Sequence, residues 1–427
     1  MPAPPLLVVV HATDQPGTDC LVAGALGEAL AGGTQLSLFR LAPAGATFRS
    51  VGCTEHATQE GTLQANGMFW LERAGRSVAT LDRLPGAALR TATVVSANLT
   101  ILDGQHVEAL HRWVRERGAL WATVVEVAAG FDVYLGPPSD GRRLVKRLLV
   151  RDAYGRLLPI DASDLVPDVA HIFRGLAVMA PTVPVGPQPR IIVVGHKAHF
   201  AQIYPAVLAS LGDAADQIGM VPAVSCVAHQ DIADGGWTSV LKDAAGLVLP
   251  GGTDMSQVEG QIAAATAALE QDLPTLGLCL GMQTMTTAFL RRSCGLTGAH
   301  LEETTPDAPT LSFIRLRDSD GRPLHYLGER EMVVRPNTRL AALYQKPGAV
   351  ERLNHRYHLN PDLIPVLEQR GLTVSATTAD TGVAEAAEVP GRHFFLGIQG
   401  HPELRSRRFA PHPAVVGLLR EAAKIGR

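Results

Sequence analysis

Residues 277–281 read Gly277-Leu278-Cys279-Leu280-Gly281, which places a thiol between two flanking glycines. Gly-x-nucleophile-x-Gly is the pattern of a strand that turns sharply into a helix. The turn strains and exposes its middle residue, and glycine on either side relieves the crowding. A thiol at a helix N-terminus meets the positive end of the helix dipole, so the expected bias at Cys279 is toward thiolate. Taken alone, the motif equally fits a buried cysteine in an ordinary strand–helix turn. A cysteine nucleophile also needs a base, and the base needs an orienting group. His401 and Glu403 stand two positions apart after the apolar run FFLGIQ at 394–399. Alternate residues of an extended segment face the same way, so imidazole and carboxylate can lie side by side. Attack by Cys279 on a carboxamide creates an oxyanion. Backbone N–H groups at Gly252, in the Gly251-Gly252 turn, and at Leu280 are the candidate donors to it.

These residues must be positioned by strands and helices, and the chain alternates between the two. Leu6–Val10, Thr93–Ala97 and Ala119–Val127 read as buried strands, and Gln105–Arg117 as an amphipathic helix with Val107, Leu110, Trp113 and Val114 on one face and Gly118 as its stop. That rhythm predicts a parallel α/β sheet. Cys20–Ala31 reads as a helix after the loop 11–19, as in the start of a phosphate-binding unit. However, Thr18-Asp19 offers no lysine to reach a phosphate. The segment Gly141–Ile160, which mixes Arg142, Arg143, Lys146, Arg147 and Arg151 with leucines, reads as the solvated face of a strand or hairpin, with a patch for an anionic acceptor as the sharper alternative. A proline-rich linker spans 181–189, dividing an N-terminal domain (1–180) from a C-terminal one (190–427). After it the rhythm restarts. Strands are expected at Arg190–Val194, Val221–Val227, Ala244–Leu249 and Phe394–Gln399, an antiparallel pair at Thr373–Thr377 and Gly382–Val389, and helices at Gln202–Leu211 (ending at Gly212), Gln257–Glu270 and Pro413–Ile425.

The bulk composition bounds the function class. At 427 residues, 46% hydrophobic and 19% charged with a formal net charge of −3, the chain is a multi-domain globular protein with no polyanion-binding character. Nucleic-acid partners are therefore not expected. Five scattered cysteines without CxxC spacing (Cys20, Cys53, Cys226, Cys279, Cys294) argue against a disulfide framework or a structural metal site, and for a reducing compartment. The first residues lack a basic leader, and Leu6–Val10 is too short to span a bilayer. A cytoplasmic protein without membrane association is the expectation.

PGG at 250–252, GLCLGMQ at 277–283 and HPE at 401–403 together resemble the signature of class I (triad-type) glutamine amidotransferases. Residues from about 190 to 427 are similar to the glutaminase domain of the CTP synthase family, through LPTLGLCLGMQ, VERLNHRYHLN at 350–360, VAEAAEVP at 383–390 and QGHPE at 399–403. The resemblance implies a flavodoxin-like α/β fold, with Cys279 as nucleophile, His401 as base and Glu403 as the acid orienting it. It implies that Gly251, Gln283, Glu303 and Arg356 hold the substrate glutamine, with Arg356 pairing its α-carboxylate and Glu303 its α-ammonium. Glu302, adjacent to Glu303, leaves that last assignment open.

The chain departs from the family pattern in two places. Thr253–Gln257 replaces a lid segment with an aromatic residue and glycines, which puts nucleotide activation in doubt. The N-terminal domain is shorter than the family's ATP-using synthetase, and Thr18-Asp19 stands where a Gly-Lys belongs. It is read as an α/β domain of unknown role, with a degenerate P-loop-like unit as one form of it. The expected activity is hydrolysis of L-glutamine to glutamate and ammonia through a Cys279 thioester, with ammonia passed to an unidentified acceptor. The glutaminase half needs no cofactor or metal; ATP and Mg²⁺ at the N-terminal half stay open, as does a partner synthetase subunit or a homo-oligomer. The alternatives are a non-catalytic regulatory protein on an amidotransferase scaffold and a full ATP-dependent CTP synthase-type ligase.

Overall fold

The computed structural model describes residues 6–11, 22–23, 25–26, 36–41, 56–57, 63–64, 77–79, 92–98, 102, 104–127, 130–135, 143–159, 188–197, 200, 206–232, 236–252, 255–408 and 410–425. The loop at 12–20, the start of the proline-rich stretch at 181–187 and Thr253-Asp254 lie outside the described residues. The chain separates into two compact units: 1–57, 61–181 and 201–209 form one, and 58–60, 182–200 and 210–427 the other.

The N-terminal unit is built on a sheet of β1 (Leu6–His11), β2 (Leu36–Leu41), β5 (Ser77–Ala79), β6 (Ala92–Asn98), β7 (Leu120–Val127), β8 (Gly130–Leu135), β9 (Arg143–Arg151) and β10 (Leu157–Pro159), in the order β10-β9-β8-β7-β1-β6-β2-β5. A two-residue ladder joins β3 (His56–Ala57) to β4 (Leu63–Gln64). Strands β7, β1, β6, β2 and β5 are parallel, and β1 reads LLVVVH because a central parallel strand is covered on both faces. The expected parallel sheet is only part of the result: β7 through β10 continue it as an antiparallel meander. The short connections after Val127 and Leu135 permit only antiparallel neighbours, since a parallel crossover needs a dozen or more residues. The helix Gly104–Arg117 buries Leu110, Trp113 and Val114 against a core that includes Val8, Val10, Val95 and Ala97. Gly118 closes it at φ 61°, where its neighbour Ala119 N–H reaches back to Val114 O at 3.1 Å.

The C-terminal unit carries β11 (Arg190–Val194), β12 (Ala223–Val227), β13 (Gly246–Leu249), β14 (Thr275–Leu278), β17 (Tyr326–Val334), β18 (Gly348–His355), β20 (Thr373–Thr378), β21 (Ala384–Glu388) and β22 (Phe395–Ile398) in one sheet, ordered β12-β11-β13-β14-β22-β21-β20-β17-β18. A smaller sheet joins β15 (Ala299–Leu301), β16 (Thr310–Arg315) and β19 (Tyr357–Leu359). The five parallel strands follow the 2-1-3-4-5 order of flavodoxin-like folds, which gather ligands outside the carboxyl ends of the strands. Helix Leu280–Ser293 is buried from Leu280 through Leu290, and it packs on β14, β22 and the helix Val258–Gln271. Its hydroxyls are bonded internally: Thr284 to Gln261 Oε1 at 3.0 Å, and Thr287 to Gln283 O and Ser312 Oγ, both at 2.7 Å.

The helix expected to stop at Gly212 instead occupies Ala206–Ile218 and ends at Gly219, φ 65°. Interior glycine costs a helix only about 1 kcal/mol, which burial of Leu211, Ala214 and Ala215 offsets. The remaining C-terminal elements match their expected places to within a few residues, and the closing helix occupies Pro413–Ile425.

Candidate active site

The turn from β14 into its helix has the strained geometry the motif requires. Cys279 sits at φ 49°, ψ −105°, a conformation that side chains other than glycine's rarely adopt. The flanking glycines are sterically fixed. A Cβ on Gly281 would lie 2.0 Å from Leu249 O, and one on Gly277 would lie 2.3 Å from Met285 Sδ. The elbow is thus pressed against the end of β13, where Pro250-Gly251-Gly252 follows. A Cβ on Gly252 would lie 3.3 Å from Leu280 Cδ2, so Gly252 and Leu280 are neighbours as the oxyanion-hole expectation requires.

The parallel pairing of Leu278 with Ile398 sets the second half of the site beside the first. Cys279 N–H donates to Ile398 O at 2.8 Å, which locks the elbow onto β22 just before Gln399, His401 and Glu403. His401 Nδ1 lies 2.8 Å from Glu403 Oε1, and both side chains are buried. His401 N–H in turn donates to Arg352 O at 2.8 Å, fixing the segment to β18. Glu351 and His412 (2.9 Å) form a second buried carboxylate–imidazole pair between β18 and the segment just before the last helix.

Burial decides the electrostatics. Removal from water pushes the Cys279 thiol up to about 12, while Leu280 N–H pulls it back, Glu303 and Glu385 add to the rise, and Gln399 opposes them. The bias toward thiolate expected from the helix dipole is therefore overturned: a fully buried thiol loses more hydration than the helix N-terminus returns. Burial likewise pushes the Glu403 carboxyl up to about 8.

The residues expected to hold glutamine are Gly251, Gln283, Glu303 and Arg356. Gln283 lies one helical turn beyond Cys279, and its Oε1 is buried with no hydrogen-bond partner among the described residues. An orphaned buried amide oxygen costs roughly 1–3 kcal/mol, and a donor on a bound substrate would relieve that cost. Of the two adjacent acids, Glu302 is committed to structure, accepting from Arg315 N at 2.6 Å. Glu303 is the one whose charge acts on Cys279, raising its thiol. Burial pushes its carboxyl up, while Arg356 and Arg315 pull it back. Arg356 lies between β18 and β19, and its guanidinium makes no hydrogen bond or ion pair among the described residues.

Several contacts were not foreseen from sequence. Gln399 Nε2 donates to Cys279 Sγ at 3.7 Å, and Sγ points to Asn354 O at 3.9 Å. His355 and Glu385 form a third buried pair at 3.2 Å, on β18 and β21. The only sequence signal for these was their place inside the NHRY, AEAAE and QGHPE stretches.

Residues 214–419 match the family model of class-I glutamine amidotransferases, and the C-terminal part of the chain belongs to that family. Its more particular likeness is to CTP synthases. It is 34% identical over 306 residues to the CTP synthase of Dehalococcoides mccartyi, covering 70% of this chain and 53% of that protein. It is 34% identical over 242 residues to that of Thermus thermophilus, covering 55% of this chain and 44% of the other. The chain thus spans about half the length of the curated relatives it matches. A solved structure, the glutaminase domain of Trypanosoma brucei CTPS with bound acivicin, superposes with TM-score 0.52 at 28% identity, over 56% of this chain and 94% of that one. No helix among the described residues is long and apolar enough to cross a membrane.

Proposed function

We propose that residues 190–427 hydrolyse L-glutamine to glutamate and ammonia, and that the ammonia passes to an acceptor still to be identified. The observation that carries this is the strained Cys279 elbow locked by hydrogen bond to β22, the strand that leads directly into the buried His401–Glu403 pair. In this reading the thiol stays protonated until substrate arrives, because its pKa of about 12 leaves almost no thiolate at neutral pH. Attack on the carboxamide carbon then proceeds as His401 takes the Sγ proton, with Glu403 orienting the imidazole through Nδ1. The oxyanion is received by the N–H groups of Leu280 and Gly252, each such donor being worth about 3–4 kcal/mol. His401 returns the proton to the departing ammonia, and water later hydrolyses the Cys279 thioester. Arg356 pairs the α-carboxylate of glutamine, Glu303 its α-ammonium, and Gln283 and Gly251 the rest of its polar groups. No metal or cofactor enters these steps.

The test is glutamate release from glutamine by the purified chain, with and without candidate acceptors, and mass-mapped labelling of Cys279 by an electrophilic glutamine analogue. Turnover that Cys279→Ala abolishes, and labelling confined to Cys279, are the expected results. Neither turnover nor labelling would leave a glutamine-binding regulatory scaffold as the better reading. Arg356→Ala should raise KM for glutamine roughly 10- to 100-fold, the loss of one charge-assisted carboxylate contact.

A further inference from the structure

Glu303, the acid assigned to glutamine's α-ammonium, lies in the turn between β15 and β16. On the β16 side that turn is tied to Arg356 by backbone. Glu302 N–H donates to Phe313 O at 3.0 Å, and the Glu302 carboxylate accepts Arg315 N–H at 2.6 Å. One residue on, Leu316 N–H donates to Arg356 O at 2.8 Å. The acid and the guanidinium assigned to the two charged groups of the substrate are thus carried on chain that β16 joins.

On the β15 side the turn is held by one imidazole. Leu301 N–H donates to His300 Nδ1 at 2.8 Å, so that nitrogen carries no hydrogen and the neutral ring has its hydrogen on Nε2. Nε2 lies 2.6 Å from Glu259 Oε1 and donates to it. The Thr304 hydroxyl is 2.9 Å from Nδ1 and 3.3 Å from Leu301 O, which also accepts Thr304 N–H at 3.2 Å and Thr305 N–H at 2.9 Å. Nδ1 therefore touches the turn on both sides of Glu303, at Leu301 and at Thr304.

The carboxylate that sets this tautomer is itself fixed. Arg291 binds Glu259 through Nη1 and Nη2, both at 2.9 Å, while its Nε donates to Ala299 O at 2.8 Å, beside His300. Glu259 is in the first turn of helix Val258–Gln271, and Arg291 in the last turn of helix Leu280–Ser293, whose N-cap is Cys279. The nucleophile's own helix thus steadies the group that aligns the Glu303 turn.

We infer that His300 is a positioning residue: its Nδ1, left as an acceptor by the Nε2–Glu259 bond, holds the 301–304 turn so that Glu303 meets the α-ammonium of bound glutamine. The inference rests on the glutaminase reading. Asparagine can take over this task, because its Oδ1 stands where Nδ1 stands and only accepts, and Glu259 keeps both Arg291 bonds. Alanine leaves Leu301 N–H and the Thr304 hydroxyl without that acceptor.

The full chain serves for the test, as wild type, His300→Ala, His300→Asn, Glu303→Ala and the double variant His300→Ala/Glu303→Ala. KM and kcat for glutamine are measured for each; KM does not depend on how much of a preparation is folded. His300→Ala should raise KM on the order of 10-fold, the scale of one misaligned charge contact, with kcat changed by less than about 3-fold. His300→Asn should stay within about 3-fold of the wild-type KM. In the Glu303→Ala background, His300→Ala should add less than about 2-fold, because both changes act on a single contact. An equal rise in KM with and without Glu303, as a purely structural residue would give, overturns the inference. So does His300→Asn as impaired as His300→Ala, or a wild-type KM in either single alanine variant. Absence of turnover in the wild type would instead remove the glutaminase reading, and this inference with it, which separates the two failures.

Discussion

A thiol at Cys279 is pulled in opposite directions by two features of its own turn. The start of the helix offers it the Leu280 N–H, yet the fold that creates the helix also removes the thiol from water, and burial wins. Alkylation of Cys279 by iodoacetamide should therefore be slow at pH 7 and still accelerating at pH 10. Peptide mapping of the labelled residue checks it, and a plateau near pH 8 would contradict it. Glu403 provides a second test at this scale. Its folded pKa of about 8 lies above the roughly 4.3 of an unfolded glutamate. Between those values only the folded chain keeps the proton, so stability falls as pH rises through the window, and the loss is complete above about 8. Glu403→Gln cannot ionise and should escape that loss. Its melting temperature relative to wild type should climb from pH 4 to pH 9 while turnover drops about 10⁴-fold, as for loss of a triad acid. A constant offset in melting temperature across that range would count against a buried, reluctant acid.

Elements place these side chains by backbone contact. The elbow, β13 and β22 meet so closely that Gly281 has no room for a methyl group, its Cβ falling 2.0 Å from Leu249 O. Gly281→Ala must shift the helix start or the Pro250-Gly251-Gly252 turn. Overpacking of this kind costs typically 1–3 kcal/mol, read as a lowered urea midpoint. Because the shift moves Leu280 away from Gly252, turnover per folded molecule should fall as well. A stable and fully active Gly281→Ala protein would show that the contact is not needed. Strand β18 has the complementary task. One stretch of it accepts His401 N–H at Arg352 O, points Asn354 O at the thiol and ends at His355, next to Arg356.

At the scale of the whole molecule, the chain is two units, each with a hydrophobic core of its own. Thermal unfolding should show two transitions. In a Cys279→Ala protein, which cannot turn substrate over, glutamine at about 100 times Kd should stabilise one of them by about 2.7 kcal/mol and leave the other in place. Calorimetry with and without glutamine checks this; equal movement of both transitions would place the ligand elsewhere.

Sequence alone determined most elements of the amidotransferase unit and singled out its candidate reactive side chains, because those depend on local properties. Apolar runs of four to six residues mark strands buried on both faces, and Gly277, Cys279 and Gly281 mark a turn that few other residues could make. The residues at 401 and 403 could be paired on spacing alone, as their 2.8 Å contact bears out. What the tertiary structure decided was everything that depends on partners distant in sequence. Glu302 is held by Arg315 N–H, while Glu303 is the acid whose charge acts on Cys279. The meander β7–β10 makes the N-terminal sheet mixed through connections whose length, not periodicity, sets strand direction. The protonation of Cys279 follows from burial by strands more than 100 residues away, and Asn354, Glu385 and Gln399 act on the thiol only once β18, β21 and β22 are aligned. Hydration and hydrogen-bond geometry are properties of the assembled sheet, and no spacing along the chain encodes them.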